Sequence, residues 1–431
     1  MSPPGEDDRA VERAVEAAFR QEWAQVVATL IGATGDWDLA EECTQEAFAL
    51  ALRTWRRDGV PQRPGAWLTT TARNRAVDRL RRTAVGEAKL REVAAERART
   101  EEPGDAVGMP ELGDDGVGTA EVGDDRLRLI FTCCHPALGI EAQVALALRT
   151  LTGLTVPEIA RAFLVPEATM AKRLVRARQK IRIAGIPYRV PPAHLLPERT
   201  TAVLGVIYLL FNEGYAATSA PTLTRRGLCE EAVRLAEMVA DLMADDPEAH
   251  GLHALLRLHH ARIDSRTDAS GALVPLEEQD RSAWDRGEIA AGVAALERAL
   301  RHGRVGPYQL QAAIAACHAT APAPADTDWA QIVDLYDQLV ALVPSPVVRL
   351  NRAVAVAMAD GPAAGLQLVD EIAEAGELAD HHLLTATRAD LLRRLGRTVE
   401  AAAAYRRARD GTANEGERRY LARRLAECEP S

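Results

Sequence analysis

Residues 67–82 combine two surfaces that a helix can present on opposite sides. The apolar residues recur at steps of three and four, which places them on one helical face. They are Leu68, Ala72, Ala76, Val77 and Leu80. Polar residues with cationic or amide groups alternate with them, namely Arg73, Asn74, Arg81 and Arg82. The segment therefore predicts a helix that packs on one side and can meet phosphates and base edges on the other.

The composition extends the helical prediction to the rest of the chain. Hydrophobic residues make up 47% of the 431 residues but aromatic residues only 4%, so the cores must consist largely of Ala, Leu and Val. Ala and Leu are among the strongest helix formers. A chain of this length has room for roughly two to four domains with separate cores. We expect an all-α protein.

The termini and the cysteines indicate the compartment. No apolar run approaches the roughly 20 residues that cross a bilayer, and the acidic segment 2–8 lacks the apolar stretch of a signal peptide. We expect a cytoplasmic protein without a membrane partner. The six cysteines include no Cys-x-x-Cys pair. Cys133, Cys134 and His135 are adjacent, and neighbours on a helix point about 100° apart, so small buried side chains are favoured over a metal site. We expect no metal and no cofactor.

The positive charge is concentrated in two parts of an acidic chain whose net charge is −10. Residues 73–100 carry 9 basic and 4 acidic side chains, and residues 126–189 carry 11 and 3. Residues 101–125 carry 9 acidic side chains and no basic one, and residues 190–431 carry 25 basic and 34 acidic ones. Because screening limits charge effects to about 8–10 Å, these two local excesses decide attraction to phosphate.

Three predicted helices form a first domain over residues 9–100. They cover residues 9–31, 38–57 and 67–82, with Asp36 or Asp38 as N-cap of the second and Pro61, Pro64 and Gly65 before the third. Residues 101–125 contain six glycines and nine acidic residues. Such a composition buries too little apolar area to offset the entropy of ordering, so it predicts a flexible linker.

Residues 126–189 predict a compact domain with a helix-turn-helix. A short helix at 157–163 and a turn at 164–166 precede a helix at 167–182. Met170, Leu174, Ala177 and Ile181 recur on the core face of that second helix. Its exposed set is Ala168, Thr169, Lys172, Arg173 and Arg176, which places it to enter a major groove.

Residues 190–431 predict helix pairs. The last three pairs are 329–342 with 346–359, 362–374 with 381–395, and 397–410 with 414–427. They start 33 and 35 residues apart, close to the 34-residue period of tetratricopeptide repeats, so we expect a tetratricopeptide-like (TPR-like) array. The segment from Leu209 to Tyr215 is unusual because an apolar helix end runs into Asn, Glu and Gly. Two adjacent histidine pairs, 259–260 and 381–382, are poorly spaced for one site. No nucleotide-binding loop, metal-ligand set or nucleophile elbow occurs here, so we expect no enzyme and no catalytic residue.

The order of these segments resembles the extracytoplasmic-function (ECF) group of bacterial sigma-70 initiation factors. Residues 38–48, Trp67, Asn74 and 78–82 resemble sigma region 2, and residues 148–160 and 172–178 resemble region 4. The C-terminal part is similar to the subgroup with a TPR-like extension, on residues 211–215, 349–353 and 396–424. Three threonines at 69–71 stand where bulkier apolar or aromatic residues are often found, which bears on DNA melting.

The resemblance implies a sigma factor that directs promoter recognition by core RNA polymerase, with contacts to the β′ clamp and β flap. The implied core-binding residues are Asp38, Glu41, Glu42, Gln45 and Glu46. The implied −10 residues are Arg73, Asn74, Asp78, Arg81 and Arg82, although Asp78 can instead pair with Arg82. The implied −35 residues are Ala168, Thr169, Lys172, Arg173, Arg176, Arg178 and Lys180, the last two as phosphate contacts.

Alternatives remain at the sequence level. A DNA-binding regulator with a TPR-like sensor, which does not bind core polymerase, would share the helix-turn-helix and the C-terminal part. The C-terminal array over 190–431 could shield the DNA-binding helices, bind a regulatory protein or stiffen the polymerase complex. Helical repeats present broad binding surfaces, so partner binding or self-regulation is favoured.

Overall fold

A computed structural model describes residues 6–97, 122–163, 165–215, 226–379 and 381–428. The chain divides into two compact units at Val203 and Leu204. Within the described residues there are helices and no sheet strands, and one isolated bridge joins Thr267 to Leu273. The all-α prediction is confirmed. No helix of these ranges has the length and apolar character needed to cross a membrane.

Unit 1 contains the two regions that carry the basic segments. Its helices are α1 (Glu6–Thr34), α2 (Trp37–Asp58), α3 (Pro64–Arg97), α4 (Val122–Cys133), α5 (Ile140–Leu151), α6 (Val156–Ala162) and α7 (Glu167–Ile183). Asp36 caps α2 by accepting from the backbone N–H groups of Asp38 and Leu39, both at 3.0 Å. Pro64 opens α3, because the first turn of a helix tolerates the missing N–H.

The predicted helices of the first domain are present but longer. The predicted 67–82 helix is part of α3, and the apolar stripe is buried at Leu68, Ala72 and Ala76. The stripe ends there, since Val77 is half-buried and Leu80 is 39% exposed. The expectation that Leu80 belongs to the core was therefore wrong. Most of the predicted linker at 101–125 lies outside the described residues, but its last residues, 122–125, belong to α4.

Helix α1 packs against α4 and α5 as well as against α2 and α3. The indole N–H of the fully buried Trp23 donates to the carbonyl of Thr150, at 3.0 Å. Gly153 adopts φ 77° beside this contact, and a Cβ there would lie 2.6 Å from the Phe19 ring. Glycine is required at this position by both conformation and space. The two basic regions therefore share one core in unit 1.

The helix-turn-helix forms as predicted. Thr155 and Glu158 make a capping box at the start of α6, in which the Thr155 N–H donates to Glu158 at 2.7 Å. The core face of α7 is buried at all four positions expected from the spacing. The segment after α7 also belongs to unit 1, because the Tyr188 hydroxyl donates to the carbonyl of Ala28 at 2.9 Å.

Unit 2 is a succession of antiparallel helix pairs. Helix α8 (Leu196–Tyr215) enters it, and the others are α9 (Arg226–Leu242), α10 (Pro247–His260), α11 (Arg286–Leu300), α12 (Pro307–Thr320), α13 (Trp329–Leu342), α14 (Pro346–Ala359), α15 (Pro362–Glu374), α16 (His382–Arg394), α17 (Thr398–Gly411) and α18 (Glu415–Cys428). The predicted pairs from 329 onward agree with α13–α18 within about two residues. The Leu209–Tyr215 segment stays helical, and Gly214 lets α8 approach α9, since a Cβ at this position would lie 2.8 Å from the Cys229 sulfur.

The cysteines are packing residues. Cys133 and Cys134 are both buried, as expected, and burial raises the pKa of the Cys134 thiol to about 12. A thiol that stays protonated is a poor metal ligand. In the described ranges no group of three or more Cys, His, Asp or Glu side chains could hold a metal ion.

Candidate nucleic-acid interface

The outer face of α3 carries exposed side chains that make no ion pair. Arg73, Asn74, Arg81 and Arg82 are all exposed, and none forms a salt bridge with another described residue. Asp78 is exposed as well and is not within ion-pair distance of Arg82. Three guanidinium groups and an amide therefore face solvent on one helix, as a phosphate-binding surface requires.

The other two arginines of α3 serve a different purpose. Arg75 pairs with Glu46 at 2.8 Å, and Arg79 pairs with both Glu42 and Glu46. The bond to Glu42 raises the pKa of Arg79. These ion pairs join α3 to α2. Arg75 and Arg79 therefore face α2, whereas the exposed arginines of α3 face solvent. The sequence showed five arginines close together, and the fold divides them into two groups.

We call Asp38, Glu41, Glu42, Gln45 and Glu46 of α2 the acidic row, and all of them except Gln45 form ion pairs within unit 1. Glu41 is 3% exposed and accepts from Arg149 at 2.8 Å and from Arg178. Asp38, at the start of α2, also pairs with Arg178. Glu42 and Glu46 pair with α3, which leaves Gln45 exposed and without a hydrogen-bond partner among the described side chains.

The predicted −35 residues occupy different sides of α7. Ala168, Thr169, Lys172, Arg176 and Lys180 are exposed. Four of them, Thr169, Lys172, Arg176 and Lys180, line one groove of about 320 Å³ beside Leu138 and Gly139 at the start of α5. Arg173 lines the same groove but pairs with Glu141 at 2.7 Å and lies 5.7 Å from the centre of the Phe163 ring. Arg178 lies about 200° around the helix from Arg176 and faces α2 instead.

Sequence reasoning missed the contacts that Arg149 and Arg178 make with Glu41. Arg149 and Arg178 are 108 and 137 residues from Glu41, and no helical spacing links residues so far apart. The only signal in the sequence was that one of the acidic residues of α2, Glu41, stands at a position that is buried in the fold. A buried carboxylate needs cationic partners, but the sequence does not say which.

Comparison with known protein families decides the classification. The profile of sigma-70 region 2 matches residues 19–85, and that of sigma-70 region 4 matches residues 128–181. An uncharacterized protein of Rhizobium meliloti (strain 1021) is 44% identical over 401 residues, which cover 93% of this chain and 92% of the relative. The chain belongs to the ECF sigma factors of the sigma-70 family. Residues 199–300 of this sigma factor match a family of unknown function (DUF6596). No solved structure matches the chain significantly.

The two matched regions place the surfaces described above in their context. Helices α2 and α3 lie in region 2 of this sigma factor, and α6 and α7 lie in region 4. Sigma-70 regions bind core RNA polymerase and promoter DNA, and their families are not enzymes. The sigma factor also carries a helical C-terminal extension of the TPR-like kind.

Proposed function

We propose that this sigma factor docks on core polymerase through the acidic row of α2, reads the −10 element with α3 and reads the −35 element with α7. The observation that carries the proposal is the pair of cationic surfaces, one on α3 and one on α7, whose cations other than Arg173 make no ion pairs among the described residues. Residues 9–100 would supply the first two functions, and residues 126–189 the third. Residues 190–431 would regulate them or bind a partner protein.

The α3 surface suits a single-stranded or opening duplex. Arg73, Arg81 and Arg82 can neutralise phosphates, and Asn74 can bond to a base edge. Thr69, Thr70 and Thr71 offer hydroxyl groups where an aromatic side chain would stack on an extruded base. We therefore expect α3 to melt promoter DNA only weakly by itself. Its contribution would be to hold the separated strand rather than to wedge the base pairs apart.

The α7 groove suits a duplex. Lys172 and Arg176 lie one turn apart and can reach successive guanines, and Thr169 can meet a thymine methyl. Each good bidentate contact discriminates by about 1–3 kcal/mol, so two of them define an element. Lys180 lies farther along the helix and is placed for phosphate. Arg173 would first have to break its ion pair with Glu141 before it could contact DNA.

The arrangement of unit 1 implies that the sigma factor must open to work. The names −10 and −35 denote elements about 85 Å apart along B-DNA at 3.4 Å per base pair. A compact domain of about 200 residues has a radius of gyration of about 17 Å, which corresponds to a diameter of about 45 Å. Unit 1 cannot place α3 and α7 on both elements at once. The chain between Arg97 and Val122 is long enough to span about 80 Å when extended.

Opening would also free the docking surface. Arg178 and Arg149 occupy Asp38 and Glu41, so polymerase must compete with region 4 for the acidic row. Hydrogen bonds to charged groups contribute about 1.5–3 kcal/mol each, so losing the Arg178 pairs shifts the equilibrium toward the open form about tenfold or more.

The test measures binding to core polymerase without DNA and then run-off transcription. We expect Arg178→Ala to bind core polymerase about tenfold more tightly, because Asp38 is released and Glu41 keeps only Arg149 as a partner. Arg182→Ala is the matched control, since Arg182 is an exposed cation on the same helix without a described ion pair. Glu41→Ala should weaken binding. Failure of the wild-type chain to bind core polymerase or to select a start site would refute the proposed function.

A further inference from the structure

A cavity of about 370 Å³ lies in unit 2 between three helices. Helix α13 contributes Trp329 and Tyr336, α14 contributes Val354 and Met358, and α16 contributes Thr387 among others. Val354 is 37% exposed and lines the cavity from α14. The volume falls within the range of about 300–1,000 Å³ that is usual for small-molecule sites, which are likewise mostly apolar.

Several uncharged polar groups of this cavity have no hydrogen-bond partner among the described residues. The Tyr336 hydroxyl, the Asn351 amide and the Thr387 hydroxyl line it, and none bonds to another described residue. Burial raises the pKa of Tyr336 to about 12, so its hydroxyl is a neutral donor at physiological pH. A few convergent polar groups in an apolar cavity are what orients a bound ligand.

The acidic groups of the cavity are already neutralised. Arg394 donates to Glu277 at 2.8 Å and to Asp390 at 2.6 Å. Asp390 also accepts from Arg393 at 2.6 Å. These carboxylates are therefore not available to balance another charge in the cavity.

Arg281 is a buried cation that forms no ion pair with a described residue. It lines the cavity, is 6% exposed and donates to three neutral oxygens, the carbonyls of His318 and Ala321 and the hydroxyl of Thr327, at 2.8–3.0 Å. Its Nε has no partner in the described part of the chain, and no carboxylate lies within ion-pair distance there. Burial lowers the pKa of Arg281, and the charge of Asp326, which lies beyond ion-pair distance, opposes this shift only in part.

His318 adds a second unused nitrogen next to this cation. Burial, reinforced by Arg262 and Arg281, lowers the pKa of His318 to about 4, so the ring is neutral at pH 7. Its Nδ1 has no partner among the described groups, and the ring packs edge-on against Trp329 at 5.1 Å. This end of the cavity therefore combines a positive charge, an unused ring nitrogen and an aromatic wall.

We infer that this cavity binds a small organic acid with an aromatic or similarly flat apolar body. The apolar body lies against Trp329, Tyr336 and Val354, and the carboxylate lies toward Arg281 and His318. A carboxylate there supplies the counter-charge that Arg281 lacks, while the three neutral acceptors hold the guanidinium in place. The site is independent of the polymerase and DNA surfaces proposed above.

The test compares a matched acid and amide on the full chain by titration calorimetry. 2-Naphthylacetate has the required body and charge, and 2-naphthylacetamide has the same body without the charge. We expect one binding site and an affinity for the acid about tenfold or more above that for the amide. Arg281→Gln should abolish this preference.

Two further variants separate specific binding from loss of fold. Val354→Trp fills the cavity and should weaken acid binding about tenfold or more, whereas Val347→Trp, on the same helix at an exposed position outside the cavity, should leave it unchanged. Both should melt like the wild type. Equal affinities for acid and amide, acid binding that Val354→Trp does not weaken, or no saturable binding of the acid at millimolar concentration would overturn the inference.

Discussion

Among the single residues of unit 1, we expect the buried carboxylate of Glu41 to have the largest effect on stability. It is a carboxylate that is 3% exposed between two arginines whose side chains are 13% and 16% exposed. A buried charge costs several kcal/mol to desolvate, so a carboxylate such as Glu41 is tolerated in the core only where its cationic partners are present. If Glu41 also contacts polymerase, as proposed, the same carboxylate serves the closed and the open forms in turn.

Replacement of Glu41 by Ala should destabilise unit 1 by about 3–5 kcal/mol, because the nearly buried Arg149 loses its carboxylate partner and Arg178 keeps only the exposed Asp38. Urea unfolding can be followed by tryptophan fluorescence, to which unit 1 contributes Trp23, Trp37, Trp55 and Trp67. Glu42→Ala is the matched control, since its pair with Arg79 is exposed and should be worth about 1 kcal/mol or less. A loss for Glu41→Ala no larger than for Glu42→Ala would contradict the buried-pair interpretation.

Among the elements, the helix-turn-helix shows how local sequence and tertiary contacts combine. The Thr155–Glu158 capping box sets the start of α6, and the apolar spacing sets which face of α7 is buried. The remaining faces of α7 are divided by geometry. Thr169, Lys172, Arg176 and Lys180 share a groove, and Arg178 turns toward α2.

The capping box makes the stability of unit 1 depend on pH in a defined direction. Bonds from the Thr155 hydroxyl and N–H lower the pKa of Glu158, so its contribution is complete above the ordinary carboxylate pKa of about 4.3. That contribution disappears as the pH falls through the lowered pKa. Thr155→Ala should therefore cost about 1 kcal/mol at pH 7 and less at acidic pH, by urea unfolding. Thr201→Ala, which removes an exposed hydroxyl that caps no helix start, should show no such pH dependence.

The division of α7 also predicts two kinds of DNA defect. Arg176→Ala should lower discrimination between the −35 element and scrambled DNA by about 1–3 kcal/mol, because a base contact is lost. Lys180→Ala should weaken binding to both DNAs to a similar extent, because phosphate contacts carry no sequence information. Competition binding measures both. Unchanged selectivity of Arg176→Ala would remove that residue from the proposed reading set.

At the scale of the molecule, this sigma factor separates an initiation module from a helical extension. In unit 1, α3 and α7, which we propose to face DNA, belong to one core that includes Trp23, Gly153 and the Glu41 pairs. The interface is therefore both apolar and ionic, and salt alone should not open it, because only the ionic part is screened. On the proposed docking, we expect competition by polymerase for the acidic row to open unit 1 more effectively than salt.

Resonance energy transfer between Arg53→Cys in α2 and Gln179→Cys in α7 reports this opening directly. Both positions are exposed, and Cys317, the half-buried native thiol, is replaced by Ser to prevent labelling there. Transfer should be efficient in the free protein and should fall when core polymerase is added. Transfer that stays the same in the polymerase complex would contradict the proposed opening. Bovine serum albumin in place of polymerase serves as the control.

The sequence alone determined the helical class, the two cationic segments, the helix-turn-helix and the later helix pairs. These features depend on residues close together in the chain, through helix propensity, apolar spacing and capping. The resemblance of residues 38–82 and 148–178 to sigma regions was likewise carried by local motifs, and the family comparison confirmed it.

Only the tertiary structure decided how those residues are used. It buried Glu41 between Arg149 and Arg178, drew Arg75 and Arg79 away from the free arginines of α3, and left Arg281 without an acid beside a cavity. The physical reason is that charge pairing and burial depend on which distant segments meet in space. A periodic pattern shows that a helix has a polar face, and the fold alone determines whether that face meets water, DNA or another part of the chain.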